Sequence, residues 1–152
     1  MKDLNILIVE DDSQKFLHIK NHILKNKEHA FSLFFMQANS VTDAINKIEE
    51  KQPDILILDI SLPTFNISNN ESGGRARHIG GVEILDFMDL MSICCKTIIL
   101  TGYEAFLIEN KPIDFINFKN ELIEDFPNII HDVLFYNSIN ANWKSKILEY
   151  IY

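Results

Sequence analysis

Residues 5–10 (NILIVE), 55–58 within PDILILDISLP, and 96–102 (KTIILTG) are runs of apolar residues with no alternation. A strand with no wet face needs cover on both sides, and a parallel sheet wrapped by helical crossovers supplies it. The stretches between these runs carry a helical period. Residues 13–27 set Phe16, Ile19, Ile23 and Leu24 on one helical face. Residues 40–52 open with Ser40 and Asp43 in capping-box spacing, followed by a stripe of Val41, Ala44, Ile45 and Ile48. Residues 29–38 read as a second strand, 82–92 as a helix, and 113–118 (IDFINF) as a fifth strand. A further helix starts at 120–126 and is kinked or restarted by Pro127, and 141–152 form a last helix with Trp143, Ile147 and Ile151 four apart. Five strands, each followed by a helix, predict an α/β fold: one doubly wound five-stranded parallel sheet with helices on both faces.

The size fits one such domain, since 152 residues at 47% hydrophobic can bury one core. Acids outnumber bases 22 to 14, for a net charge of −8, and the bases are scattered. That balance argues against direct nucleic-acid binding, which draws on clustered Lys and Arg. Cys94 and Cys95 are adjacent and cannot staple the fold. No apolar stretch approaches the ~18 residues of a membrane span, and the N-terminus is too acidic for a signal peptide. A cytoplasmic protein with no membrane insertion is expected.

In a sheet of this kind ligands bind beyond the carboxyl ends of the strands. Strand one ends in Glu10-Asp11-Asp12, strand three in Asp59, strand four in Thr101-Gly102, and the expected strand five in Phe118-Lys119. Several carboxylates on one rim repel each other unless a cation joins them, and a hard, oxygen-liganded ion such as Mg²⁺ fits. With Thr101 and Lys119 to hold an anion beside the metal, the chemistry suggested is phosphoryl transfer onto a carboxylate.

The ordered segments ILIVEDD, DILILDISLP, IILTG and FINFK resemble the signature segments of the response-regulator receiver domain of two-component signalling. The resemblance covers about residues 4–135 and implies the flavodoxin-like strand order 2-1-3-4-5. It implies Asp59 as phosphoacceptor, with Pro63 four residues on. Glu10 and Asp11 become the acidic pair, Asp11 binding Mg²⁺ directly and Glu10 directly or through water. Asp12 either assists or caps the next helix. The backbone carbonyl of Ser61 is implied as a further Mg²⁺ ligand, Thr101 as the responding hydroxyl, and Lys119 as the lysine that pairs with the phosphoryl oxygens. The partners implied are a histidine kinase or phosphotransfer protein and an output protein of unknown identity, with a homodimer among the assemblies the family forms. The source implied is bacterial. The chain would catalyse only its own phosphorylation and dephosphorylation and would not be a metabolic enzyme.

Three features depart from the family pattern. Residues 64–79 form an insert carrying Arg75, Arg77 and His78, read either as a lid over the site or as a solvated loop. Asn120 stands where the family has proline after the lysine, and the short stretch between Thr101 and Lys119 predicts a stunted fourth helix. The receiver is expected to span 1–135. Residues 136–152 would be a helical extension, too short for a DNA-binding output domain, so a stand-alone receiver is expected. A degenerate, unphosphorylated receiver serving as an interaction module is the alternative. A phosphatase with an aspartyl nucleophile fits less well, because Ser61 stands where that chemistry wants a second acid.

Overall fold

Alternate side chains of a strand point to opposite faces of its sheet, so an apolar run feeds two cores at once. The computed structural model of the chain describes residues 1–63, 80–102, 107–108, 111–112, 114–137 and 142–152. Its elements run β1 (Lys2–Val9), α1 (Ser13–Lys25), β2 (Phe31–Ala38), α2 (Val41–Glu50), β3 (Ile55–Leu58), α3 (Gly80–Leu90) and β4 (Lys96–Thr101). There follow β5 (Leu107–Ile108), β6 (Lys111–Pro112), α4 (Phe115–Asp125), β7 (Ile130–Phe135) and α5 (Asn142–Ile151). Five strands form one parallel sheet in the order β2-β1-β3-β4-β7, which is 2-1-3-4-5 counted along the sheet's own strands. The short β5 and β6 pair with each other, antiparallel.

The faces separate cleanly. Leu7, Val9, Leu56, Leu58 and Ile99 share a buried cluster with Ala44 and Ile48 of α2, Ile84 and Met88 of α3, and Phe118 and Leu122 of α4. Ile6, Ile8, Ile57, Ile98 and Leu100 point the other way, onto Ile19 and Ile23 of α1 and onto Trp143, Ile147 and Ile151 of α5. Each fully buried Leu or Ile contributes about 1.5–3 kcal/mol relative to an exposed one. Central strands apolar at every position are thus explained by cover on both faces.

The sequence placed the fifth strand wrongly. Residues 113–118 carry apolar side chains at spacings of both two and three, which suit a strand or a helix. Asp114 decides for a helix: its Oδ1 accepts from the Asn117 N–H at 2.9 Å and caps α4. Phe118 and Leu122 then fall on one buried face. The segments expected as a strand and a separate helix are therefore one helix of 11 residues, about three turns; in 103–112, where the stunted helix is expected, the described residues form β5 and β6. The sheet's last strand is β7, parallel to β4 from Thr97↔Ile130 to Thr101↔Phe135.

The expected C-terminal extension contains α5, whose Trp143 and Ile147 are essentially inaccessible to solvent. Trp143, Ile147 and Ile151 pack on the sheet, as their spacing suggested. The insert with Arg75, Arg77 and His78 lies outside the described residues. From Gly80 onwards the backbone is held tightly. A Cβ on Gly80 would overlap the Leu62 carbonyl, and one on Gly81 would lie 2.6 Å from the Asp59 carbonyl oxygen. The glycine pair lets the start of α3 press on the chain leaving β3, just beyond Asp59.

Candidate functional site

The parallel register brings the strand ends to one rim. The Asp59 N–H donates to the Val9 carbonyl at 3.0 Å, the Glu10 N–H to Ala38 at 2.9 Å, and the Tyr136 N–H to Thr101 at 2.8 Å. Glu10, Asp59, Thr101 and Tyr136 therefore stand at the ends of β1, β3, β4 and β7, and Glu10, Asp59, Gly102 and Tyr136 line an open cleft of about 400 Å³. Buried backbone has found its partners inside the sheet, and the side chains just past it meet the cleft.

Glu10, Asp11 and Asp59 can each present a carboxylate oxygen within 4.8 Å of the others. Glu10, Asp59, Ser61 and Thr101 are buried. Asp59 Oδ1 accepts from the Thr101 hydroxyl at 2.9 Å and from the Ser61 N–H at 3.1 Å. Asp12, which also lines the cleft, caps α1, its Oδ1 accepting from the N–H of Gln14 at 2.9 Å and of Lys15 at 3.3 Å. The open question about Asp12 is thus answered in favour of the cap.

Lys15, in the first turn of α1, was not foreseen as a site residue. Its Nζ lies 2.7 Å from Glu10 Oε2 and 3.2 Å from Asp59 Oδ2, and donates to the Leu100 carbonyl at 3.3 Å. The residue is only 8% exposed. Burial alone would lower its pKa, but Asp59 and then Glu10 outweigh that and raise it, so the ammonium stays charged. The Glu10 carboxyl is pushed up to about 7, by burial first and the Asp59 charge second, against the opposing pull of Lys15. A signal for Lys15 existed in the sequence. It stands four and eight residues before Ile19 and Ile23, on the buried face of α1, where a lysine needs an acidic partner.

Lys119 is not part of this group. It sits on α4, with its side chain about a third exposed, and its Nζ pairs with Asp132 Oδ1 at 2.9 Å. The expectation failed because its segment is helical and does not end a strand. The residue just past the last strand of the sheet is Tyr136, whose ring centroid lies 4.9 Å from Lys15 Nζ. The Tyr136 hydroxyl is hydrogen-bonded to His18 Nδ1 at 2.8 Å.

The donor set fits a hard divalent cation. All the ligand atoms are oxygens, and three carboxylates against the one ammonium of Lys15 leave an excess of two negative charges. Among the described residues, no helix is long and apolar enough to cross a membrane.

No family model matches the chain. It is similar to the Detocs response regulatory protein DtcB of Enterobacter cloacae, 29% identical over 97% of this chain and 98% of that one. The protein of the same name from Vibrio alginolyticus is 27% identical over 96% of this chain and 98% of its own length. Among solved structures, the response regulator domain of Thermotoga maritima CheB superposes with a TM-score of 0.64, at 18% identity, over 99% of this chain and 94% of that one. The receiver domain of Francisella response regulator 1452 gives 0.63 at 16% identity, over 96% and 91%. The structural likeness concerns the fold, and the curated relatives match it along nearly their whole length. With five parallel strands in the order 2-1-3-4-5 and an acidic group at their carboxyl ends, the chain has the fold of response-regulator receiver domains and is similar along its length to two response regulatory proteins.

Proposed function

We propose that the chain is a phosphorylation switch. Asp59 takes a phosphoryl group from a histidine kinase or phosphotransfer protein in a Mg²⁺-dependent reaction, and the modified chain signals through protein contacts. The observation that carries this reading is the setting of Asp59. It is a buried carboxylate at the mouth of a cleft, its Oδ1 held by Thr101 and Ser61, with two further acids in reach.

In the transfer, a carboxylate oxygen of Asp59 attacks phosphorus. The new O–P bond forms as the donor's P–N bond breaks, and the electron pair leaves on the phosphohistidine nitrogen. Mg²⁺ would be held by the side chains of Glu10, Asp11 and Asp59 with the Ser61 carbonyl, and would neutralise charge on the transferring group. The Thr101 hydroxyl, already donating to Asp59, is placed to donate to a phosphoryl oxygen instead. The product adds about −1.5 to −2 charge at the end of β3, and that charge biases the switch. Catalysis is confined to the chain's own phosphorylation and hydrolysis, in the cytoplasm, with an output protein reading the result.

Incubation with acetyl phosphate and Mg²⁺ is expected to add one phosphoryl group by intact mass, and Asp59→Ala to abolish it. An unmodified wild-type chain, or an Asp59→Ala chain that still gains the adduct, sinks this reading. A second reading, a metal-independent interaction module, draws on Lys15, whose ammonium already bridges Glu10 and Asp59. Mg²⁺ titration followed by calorimetry separates them: the module binds no Mg²⁺.

A further inference from the structure

We infer that Lys15, delivered by the first helix, is the cation that receives the phosphoryl group at Asp59. In this chain the ammonium comes from α1 and not from the end of the last strand of the sheet. The inference rests on Asp59 being the phosphoacceptor and names the residue that pairs with the transferred group.

Four observations converge. The Lys15 ammonium is 3.2 Å from Asp59 Oδ2, in contact with the group that would react. Its position is built rather than adventitious. The Asp12 cap fixes the turn that carries it, the side chain is buried, and Glu10 and the Leu100 carbonyl hold Nζ from two further sides. The end of the last sheet strand, beside Thr101, supplies no ammonium, because Tyr136 stands there. Its ring is turned to Lys15 Nζ at 4.9 Å, and its hydroxyl is anchored on His18. Lys119 is committed to Asp132 on the flank of α4.

The chemistry is set by charge. While Asp59 is unmodified, Lys15 is shared between two carboxylates. Once Asp59 carries a phosphoryl group, the added oxygens and their negative charge lie next to Nζ, and the ammonium exchanges a carboxylate partner for a phosphoryl one. No covalent bond to Lys15 forms. Its cation also competes with a divalent ion for the same acids, so removing it affects metal and phosphoryl group in opposite directions.

Lys15→Met and Lys119→Met, each with acetyl phosphate and Mg²⁺, test the assignment. Lys15→Met is expected to slow phosphorylation about 100-fold and to abolish binding of beryllofluoride, an anion of phosphoryl shape. The same variant should bind Mg²⁺ about fivefold more tightly by calorimetry. Lys119→Met should phosphorylate at the wild-type rate. A wild-type rate in Lys15→Met overturns the inference while leaving Asp59 as phosphoacceptor, and so does a loss confined to Lys119→Met. Slower phosphorylation together with weaker Mg²⁺ binding also overturns it, because a lysine that only supports the fold weakens both. A wild-type chain that takes no phosphoryl group overturns the functional reading and this inference with it. Should Lys15→Met fail to fold, the wild-type protein decides. With lysine ε-carbons labelled, beryllofluoride must shift the Lys15 resonance and leave that of Lys119 in place, and an unmoved Lys15 resonance refutes the assignment.

Discussion

Asp54 shows how one side chain at the entry of β3 couples the sheet to pH. Its Oδ2 accepts from the Asn5 N–H at 2.7 Å and from Asn5 Nδ2 at 3.1 Å, which ties the start of β3 to β1. The backbone bond, then the side-chain bond, hold the Asp54 carboxyl below its ordinary value of 3.8. A depressed carboxylate stabilises the fold above its unfolded pKa, and that contribution is lost as pH falls through the folded value. The site is exposed, so Asp54→Ala should cost only about 1 kcal/mol at neutral pH. Urea unfolding of the two proteins should show that gap narrowing as the pH falls below 3.8; a gap that stays equal over that range contradicts the assignment. At this scale the candidate site was partly legible. Glu10, Asp11, Asp59 and Thr101 each end an apolar run, and a polar residue there has few structural uses. Helical spacing puts Lys15 on the buried face of α1 and so signals an acidic partner, but it does not say which acids that face meets. Its partners, Glu10 and Asp59, follow only when the three-dimensional fold brings α1 over the ends of β1 and β3.

Elements were read correctly where one period dominated and wrongly where two competed. The stretches that became β1, β3, β4, α1 and α2 each carry one clear pattern, and Ser40 caps α2 by accepting from the Asp43 N–H at 3.1 Å. In α4 the apolar spacing was ambiguous, and the Asp114 cap went unread. With 113–118 as the last strand, Ile130–Phe135 has no place in the sheet and Lys119 falls at its edge. The same reading ends the receiver at residue 135 and leaves α5 beyond it, although the apolar stripe of α5 packs on the sheet. Trp143 is 1% exposed and shares a buried cluster with Ile98, Leu100 and Leu134 of β4 and β7. Its indole N–H donates to the Asn137 carbonyl at 3.3 Å. Trp143→Ala should therefore cost about 3–5 kcal/mol in chemical denaturation, as expected for a large core side chain. A loss below about 1 kcal/mol would mark α5 as an independent extension.

For the molecule as a whole, two cores on either side of one sheet fix the strands, and the fixed strands bring their ends to a single rim. That rim gathers three carboxylates, a hydroxyl and a buried ammonium from segments far apart in the chain. A charge added to Asp59 is felt at once by α1 through Lys15, by β4 through Thr101, and by the start of α3 through the close approach of Gly81. The central claim is that Asp59 is the residue modified. After incubation with acetyl phosphate and Mg²⁺, borohydride reduction converts an aspartyl phosphate to homoserine, and peptide mass spectrometry locates it. Homoserine at position 59 is the predicted result; homoserine at Asp11 or Asp12, or none anywhere in the chain, contradicts it.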